Sequence, residues 1–233
     1  MKFYKFKPCS KVNLDTLERN EIWANCLKAF NDPFEGKFRV VMKDISNASL
    51  YGEIEKRLKR RAFFCVCSAE DSVYNQLMWA HYADGHRGFC IEYNEQLLQG
   101  LRQGEVVDSW REVYYTEDKL DEPEDGNDLD AFFVRLATTK SEVWEYEKEV
   151  RLMFRERGVH PVPGAVSAIY LGCGIDVLYA LKLLVIAEQL GVPCYQMEME
   201  DEYYRLKPRI YTLREYVEKY VDIEKYEMCQ SED

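Results

Sequence analysis

The chain has 233 residues, with 31 Lys+Arg against 42 Asp+Glu, so its formal net charge is -11 and its pI is near 5.0. That balance opposes long-range attraction to nucleic acid or an anionic membrane, because phosphate binding relies on Lys and Arg displacing counterions. A hydrophobic content of 47%, with 14% aromatic, supplies a packed core and excludes a disordered chain. No stretch approaches the roughly 20 apolar residues of a spanning helix. Met1-Lys2-Phe3-Tyr4-Lys5-Phe6-Lys7 alternates apolar and basic residues and lacks the apolar run of a secretory leader.

In chain order, the pattern predicts strands at Lys2 to Phe6 and Glu21 to Ala24, with a helix at Leu14 to Asn20 between them. A strand at Lys37 to Met42, a helix at Ser49 to Arg61 and a strand at Phe63 to Cys67 follow. Next come a helix over Val73 to Ala83, a strand at Gly88 to Tyr93, a helix at Asn94 to Leu101 and a strand at Glu112 to Tyr115. Glu117 to Asp130, rich in Asp and Glu with Pro123 and Gly126, reads as an acidic loop or insertion at about 117–130. The second half predicts a helix at Leu129 to Ser141 and strands at Glu147 to Phe154 and Ala168 to Leu171. A helix at Ile175 to Leu190, a strand at Cys194 to Met199 and a helix at Leu213 to Glu227 complete the order. The helix ending at Leu190 is apolar almost all round and closed by Gly191 and Pro193, so burial is expected. The mixture indicates an α+β fold with mixed or antiparallel sheets and packed helices, in a single domain over 1–233. A doubly wound nucleotide fold is disfavoured, since Leu171-Gly172-Cys173-Gly174 lacks the third glycine of the fingerprint.

The eight cysteines do not form a disulfide framework in a chain of this length. Cys65 and Cys67 alternate in an apolar run, and Cys26, Cys90 and Cys173 sit beside apolar residues or Gly, where free Cys behaves as a small hydrophobe. Reduced thiols point to the cytoplasm. No metal is expected: Cys65-Val66-Cys67 is too tight for a zinc pair, and His81 and His86 are five apart, off a shared helical face.

The most charged strand pattern lies in Trp144-Glu145-Tyr146-Glu147-Lys148-Glu149-Val150-Arg151-Leu152-Met153-Phe154. Strand alternation places Val150, Leu152 and Phe154 on one face and Glu147, Glu149 and Arg151 on the other. Buried ion pairs contribute little net stability, so several acids on one inward face favour a site over a structural ladder. In Phe30-Asn31-Asp32-Pro33-Phe34-Glu35-Gly36, Asn31 and Asp32 can cap nearby amides and Pro33 fixes the backbone; the segment is either a rigid turn presenting Glu35 or a structural turn alone. Ser68 closes the Phe63 to Cys67 strand, as a ligand contact or a cap. Around the turn after Leu77, the polar tips and aromatic bodies of Trp79, His81, Tyr82, His86 and Arg87 suit a planar or phosphorylated ligand, each also being readable as core. The basic run Lys56 to Arg61 reads as a solvated helix face or a phosphate contact.

Phe30 to Glu35 (FNDPFE), Met78 to Glu92 (MWAHYADGHRGFCIE) and Trp144 to Leu152 (WEYEKEVRL), in that order, resemble the signature blocks of a widespread bacterial and phage family named for domain of unknown function twenty-nine seventy-one. The resemblance covers most of the chain from Phe3 to about Leu171 and carries no activity with it. A more distant similarity is to the ADP-ribosyltransferase class, which places a basic residue on a first strand, a Ser on a second and a catalytic Glu on a later one. It implies a split-sheet fold and NAD as co-substrate. Lys5 or Lys7 and Ser68 would hold ribose and phosphates, Glu149 would stabilise the positive charge as nicotinamide leaves, and Glu147 would orient or deprotonate an acceptor. Lys in place of the usual Arg or His, and the absence of a full Ser-Thr-Ser run, depart from that pattern.

The leading expectation is thus an NAD-consuming, ADP-ribosyltransferase-like toxin or phage-defence effector. A non-catalytic sensor or interaction module for a nucleotide-like small molecule is the alternative, and a nuclease holding a divalent metal on Glu35, Glu147 and Glu149 is a third. Exposed aromatics among the 17 Tyr are compatible with a homodimer. The discriminating feature is Glu149: catalysis needs it open to a cleft beside Ser68, whereas a binding module tolerates it locked in a salt bridge.

Overall fold

Alternation at the amino terminus, with Phe3, Tyr4 and Phe6 buried, produces β1 (Lys2–Lys7), the first strand of an α+β structure seen in a computed structural model. Residues 2–40, 48–94, 101, 110–123 and 129–221 are described. The chain divides into two units, each assembled from separate stretches. The first comprises Met1–Asn20, Glu70–Glu95 and Pro163–Asp233, the second Glu21–Ala69 and Gln96–Val162.

In the first unit, β1 pairs antiparallel with β4 (Phe89–Asn94) from Lys2↔Asn94 to Lys7↔Phe89. Beyond β4 the order continues through β10 (Val166–Leu171) and β11 (Cys194–Met199) to β12 (Leu206–Ile210). The β4/β10 and β11/β12 pairs are antiparallel, whereas β10 and β11 run parallel. A parallel pair needs a crossover, supplied here by the helix Val177–Leu190. Asp176 accepts from the Leu178 and Tyr179 amides to start that helix, and Gly191, at φ 68°, ends it in the left-handed conformation. Its apolar sequence is not buried all round: Ala180, Leu183, Leu184, Ile186 and Ala187 face the core, while Leu178 and Val185 are exposed. Two shorter helices, Lys11–Glu18 and Leu213–Tyr220, also belong to this unit, the latter opened by a Thr212/Glu215 capping box.

In the second unit, β3 (Ala62–Cys67) pairs antiparallel with β8 (Glu149–Phe154), from Ala62↔Phe154 to Cys67↔Glu149. The two-residue β5 (Arg111–Glu112) lies on the other side of β8. Two small pairs complete the strands: β2 (Glu21–Ala24) with β9 (Gly158–Pro161), and β6 (Tyr114–Thr116) parallel to β7 (Thr139–Ser141). The core brings Ile54 and Leu58, from the helix Ala48–Arg60, against Phe132, Phe133 and Leu136, from the helix Leu129–Ala137, over Phe63 and Met153.

Most predicted elements are present with shifted ends, and the differences have local causes. The segment Glu112 to Tyr115 is split between β5 and β6, with Val113 turned inward. Helix Leu129 to Ser141 stops at Ala137, where Thr138 and Thr139 hydroxyls bond back to Val134 and Arg135 carbonyls, and β7 follows. The helical stretch Val73 to Ala83 is a 3-10 turn, Ser72–Tyr74, followed by the helix Gln76–Tyr82 capped by Asn75. Of the strand Lys37 to Met42, Arg39 forms a single bridge with Asp121, and residues 41–42 lie outside the described residues. The helix Asn94 to Leu101 falls largely outside them too, as does the end of Leu213 to Glu227, and Asn94 itself closes β4. Of the acidic loop, residues 124–128 are likewise outside.

Candidate functional site

Glu147 was expected on the strand with Glu149 and Arg151, but β8 begins only at Glu149. Glu147 ends a 3-10 helix, Glu142–Glu147, and Lys148, at φ 44°, is left-handed, which breaks the alternation. Both faces of β8 are buried. Glu149 and Arg151 point to the same side as Cys67 and Cys65, their register partners on β3.

Despite that break, Glu147 still reaches the same place. Lys140, on β7, lies 2.6 Å from Glu147 Oε2 and 3.4 Å from both Glu149 Oε2 and Glu35 Oε1. Arg151 donates from Nε and Nη2 to the two oxygens of Glu149 at 2.9 and 2.8 Å, and from Nη1 to the Ala137 carbonyl at 2.7 Å. Its Nη2 also stands 2.6 Å from Glu35 Oε2. Tyr115 accepts the Glu149 amide at 2.8 Å, so the backbone entering β8 is held as well. All five charged side chains are buried.

Three carboxylates thus face two cations, leaving one formal negative charge in excess among buried side chains. Carrying that excess ionised is costly, and a proton relieves it. Glu35 is the acid that favours it: burial and the neighbouring Glu149 charge raise its carboxyl above the usual range, against the pull of Arg151 and Lys140. Glu149 goes the other way: burial alone would raise it, but Arg151 and Lys140 hold it well below the usual range. Carboxyls pushed apart in this way are a mark of acid–base sites and of structural ion networks alike.

Beside this cluster is a cavity of about 210 Å³, lined by Asp32, Glu35, Lys140, Thr116, Thr139 and Ser141 among others. Asp32 is 5% exposed; its Oδ1 accepts the Phe34 amide at 2.9 Å, while its Oδ2 has no hydrogen-bond partner among the described residues. Asn31, one residue earlier, is exposed.

Ser68 lies in the same unit, immediately after β3, and both its amide and its hydroxyl donate to the Lys148 carbonyl, at 2.9 and 3.0 Å. The hydroxyl therefore anchors the residue before Glu149. Of the sequence candidates, Asp32, Glu35, Glu147, Glu149 and Arg151 come together. Lys140 and Tyr115 were not singled out, since each is an isolated polar residue in a short strand without periodic signal.

The remaining candidates belong to the first unit. Trp79 is fully buried, its indole N–H donating to the Val73 carbonyl at 2.7 Å and its ring edge-to-face with Phe6. His86 stacks over Trp79 with centroids 6.4 Å apart. Arg87 is exposed and pairs with Asp84 through two contacts of 3.1 Å. His81, exposed, meets Tyr82 edge-to-face. Lys5 and Lys7 follow each other along one face of β1, and burial together with the Lys5 charge brings Lys7 down to about 7.

Residues 78–152 match the model of a family described as Protein of unknown function (DUF2971). The family resemblance therefore holds over that segment. It contains the MWAHYADGHRGFCIE and WEYEKEVRL blocks whole, while Phe30 to Glu35 lies before it. Within the DUF2971 segment fall Lys140, Glu147, Glu149 and Arg151, so four of the five charged cluster residues are in the matched region. No curated protein and no solved structure matches the chain. Among the described residues no helix is long and apolar enough to cross a membrane, and no group of three His, Cys, Asp or Glu is placed to hold a metal ion.

Proposed function

We propose that the second unit is a recognition module for the donor-bearing end of a small nucleotide-like molecule, bound in the cavity beside Glu35 and Lys140. The observation that carries this reading is Asp32, a residue lining that cavity whose buried Oδ2 has no hydrogen-bond partner among the described residues. Buried polar atoms are nearly always paired, so an orphan oxygen on a cavity-lining residue suits a donor carried in by a ligand. Ribose hydroxyls and a carboxamide N–H are such donors. At about 210 Å³ the space is smaller than the usual ligand pocket of about 300–1,000 Å³, and suits a ribose or a carboxamide ring rather than a whole dinucleotide.

Asp32→Asn tests this selectively, because the amide oxygen can keep the Phe34 bond while an NH2 replaces Oδ2 and opposes an incoming donor. In calorimetric titrations with NAD, ADP-ribose and nicotinamide, at least one should bind saturably to the wild type, and the Asn variant should bind it at least about 10-fold more weakly, as for loss of a hydrogen bond to a charged group. No binding by any of the three, or equal binding by the variant, would overturn the reading.

One observation favours a second reading, an NAD-consuming transferase: Glu149 sits opposite Cys67, with Ser68 bonded to the residue before it. In the present geometry Glu149 is 7% exposed with both oxygens held by Arg151, so this chemistry requires Arg151 to let go first. Nicotinamide released from NAD by the wild type, and abolished in Glu149→Gln, would establish catalysis and displace the simpler binding reading.

A further inference from the structure

The first unit contains a cavity of about 660 Å³ that neither reading of the second unit uses. It lies where β10 and β11 both end. Leu171 runs into the Gly172-Cys173-Gly174 turn, and Met199 runs into the hairpin leading to β12; Cys173, Gly174 and Met199 to Leu206 all line the space. With the crossover helix between them, β10 and β11 form a single β-α-β unit, and the carboxyl ends of parallel strands are where such units take ligands. The glycine turn is tightly built. A Cβ on Gly172 would come 2.1 Å from the His86 carbonyl, and the Gly174 amide donates to that same carbonyl at 3.0 Å.

His86 also lines this cavity, in a left-handed conformation at φ 68° within a turn where Asp84 and Gly85 are left-handed too. Its Nδ1 is buried without a partner among the described residues, and its ring is supported from beneath by Trp79. Burial lowers the pKa of the imidazole and so favours its neutral form. A neutral imidazole offers one donor and one acceptor between its two nitrogens. On the hairpin, Tyr203 is 58% and Tyr204 100% exposed, while Gln76 donates to the Tyr204 carbonyl at 2.6 Å and holds the tip in place. Aromatic rings left in water beside a cavity are suited to stacking on a planar ligand.

Charge then selects among planar ligands. Glu200, Asp201 and Glu202 line the same cavity with a single arginine, Arg205, whose guanidinium lies over the Tyr203 ring. A phosphate there would meet three acids against one arginine.

We infer that this cavity binds an uncharged or cationic heteroaromatic ring bearing amino or amide groups, stacked by Tyr203 or Tyr204 and hydrogen-bonded by His86, and that it discriminates against phosphorylated forms of such rings. The inference is independent of what the second unit binds. With only three histidines in the chain, His81, His86 and His160, the imidazole nitrogen resonances of labelled protein are a direct readout. Adenine, adenosine and AMP serve as probes of rising negative charge. Adenine and adenosine should shift the His86 resonances saturably and leave His160 unmoved, and AMP should bind at least about 10-fold more weakly than adenosine. The double variant Tyr203→Ala/Tyr204→Ala should weaken adenine binding by about 10-fold or more, as for loss of a stacking platform. His86→Asn, which tolerates the left-handed backbone, should lower affinity with the fold intact. No saturable His86 shift with adenine, AMP binding as tightly as adenosine, or adenine binding unchanged in the double tyrosine variant would each overturn it.

Discussion

The five charged residues of the cluster, Lys140 among them, differ in what their loss should do, because three acids share two cations. Arg151→Met would leave three carboxylates facing Lys140 alone and would free the Ala137 carbonyl, so a cost of about 3–5 kcal/mol is expected, as for breaking a buried ion pair. Glu35→Gln should change stability by less than about 1 kcal/mol at neutral pH, since it replaces a carboxyl that favours its protonated form with a neutral amide of the same shape. The pH profile should separate the two acids. Glu149, held low in the folded state, contributes stability that is present above its unfolded pKa and lost as pH falls toward its folded one. Glu35, held high, acts in the opposite sense: the folded state binds its proton more tightly, so stability declines as pH rises from the unfolded carboxyl range through its folded value. Denaturant unfolding of wild type and Glu35→Gln between pH 4 and 8 should show that decline in the wild type and its absence in the variant. Parallel profiles for both proteins would mean that the extra proton is not on Glu35.

At the level of elements, the entry to β8 depends on one left-handed residue. A non-glycine residue in that conformation costs about 1 kcal/mol, and the Lys148 side chain contributes only an exposed pair with Glu145, at 2.9 Å, worth little. Lys148→Gly should therefore leave thermal stability unchanged or raise it, while Lys148→Val, β-branched, should lower it by about 1–2 kcal/mol. The same residue marks the limit of what the sequence reveals. From Glu149 onward the alternation of Val150, Leu152 and Phe154 against Glu149 and Arg151 was legible, because a strand's period of two leaves a clear trace. Glu147 was assigned to that strand because nothing in Glu147-Lys148-Glu149 announces positive φ; Gly would have, and Lys does not. The unforeseen β7, β9 and β12 are of three to five residues, too short for periodicity, and Pro161 and Pro208 argue against strands in two of them. Lys140 went unseen for the same reason, as its importance comes from residues distant in sequence. Conversely, the glycine pair 172 and 174 was correctly separated from a dinucleotide fingerprint, yet it still builds a parallel crossover, because close backbone approach needs Gly whatever the ligand.

For the whole molecule, the two units interleave along the chain, so neither can be excised as one continuous piece. The matched segment 78–152 shows the consequence most directly. It contains Lys140, Glu147 and most of β8, but lacks β3, which supplies the antiparallel partner of β8, and Glu35, which meets both cations. Its share of the first unit, β4 without β1 or β10, is a strand missing both neighbours. A lone strand cannot satisfy its backbone groups and bury its apolar face, and long-range pairing restores neither when the partner is absent. A fragment of residues 78–152 is therefore expected to be unfolded, with far-UV circular dichroism of a coil and collapsed amide dispersion, although it spans the region of family similarity. A cooperative unfolding transition in that fragment would show that the pairings of β8 with β3, and of β4 with β1 and β10, are dispensable, and that the cluster's chemistry is set within the matched segment alone.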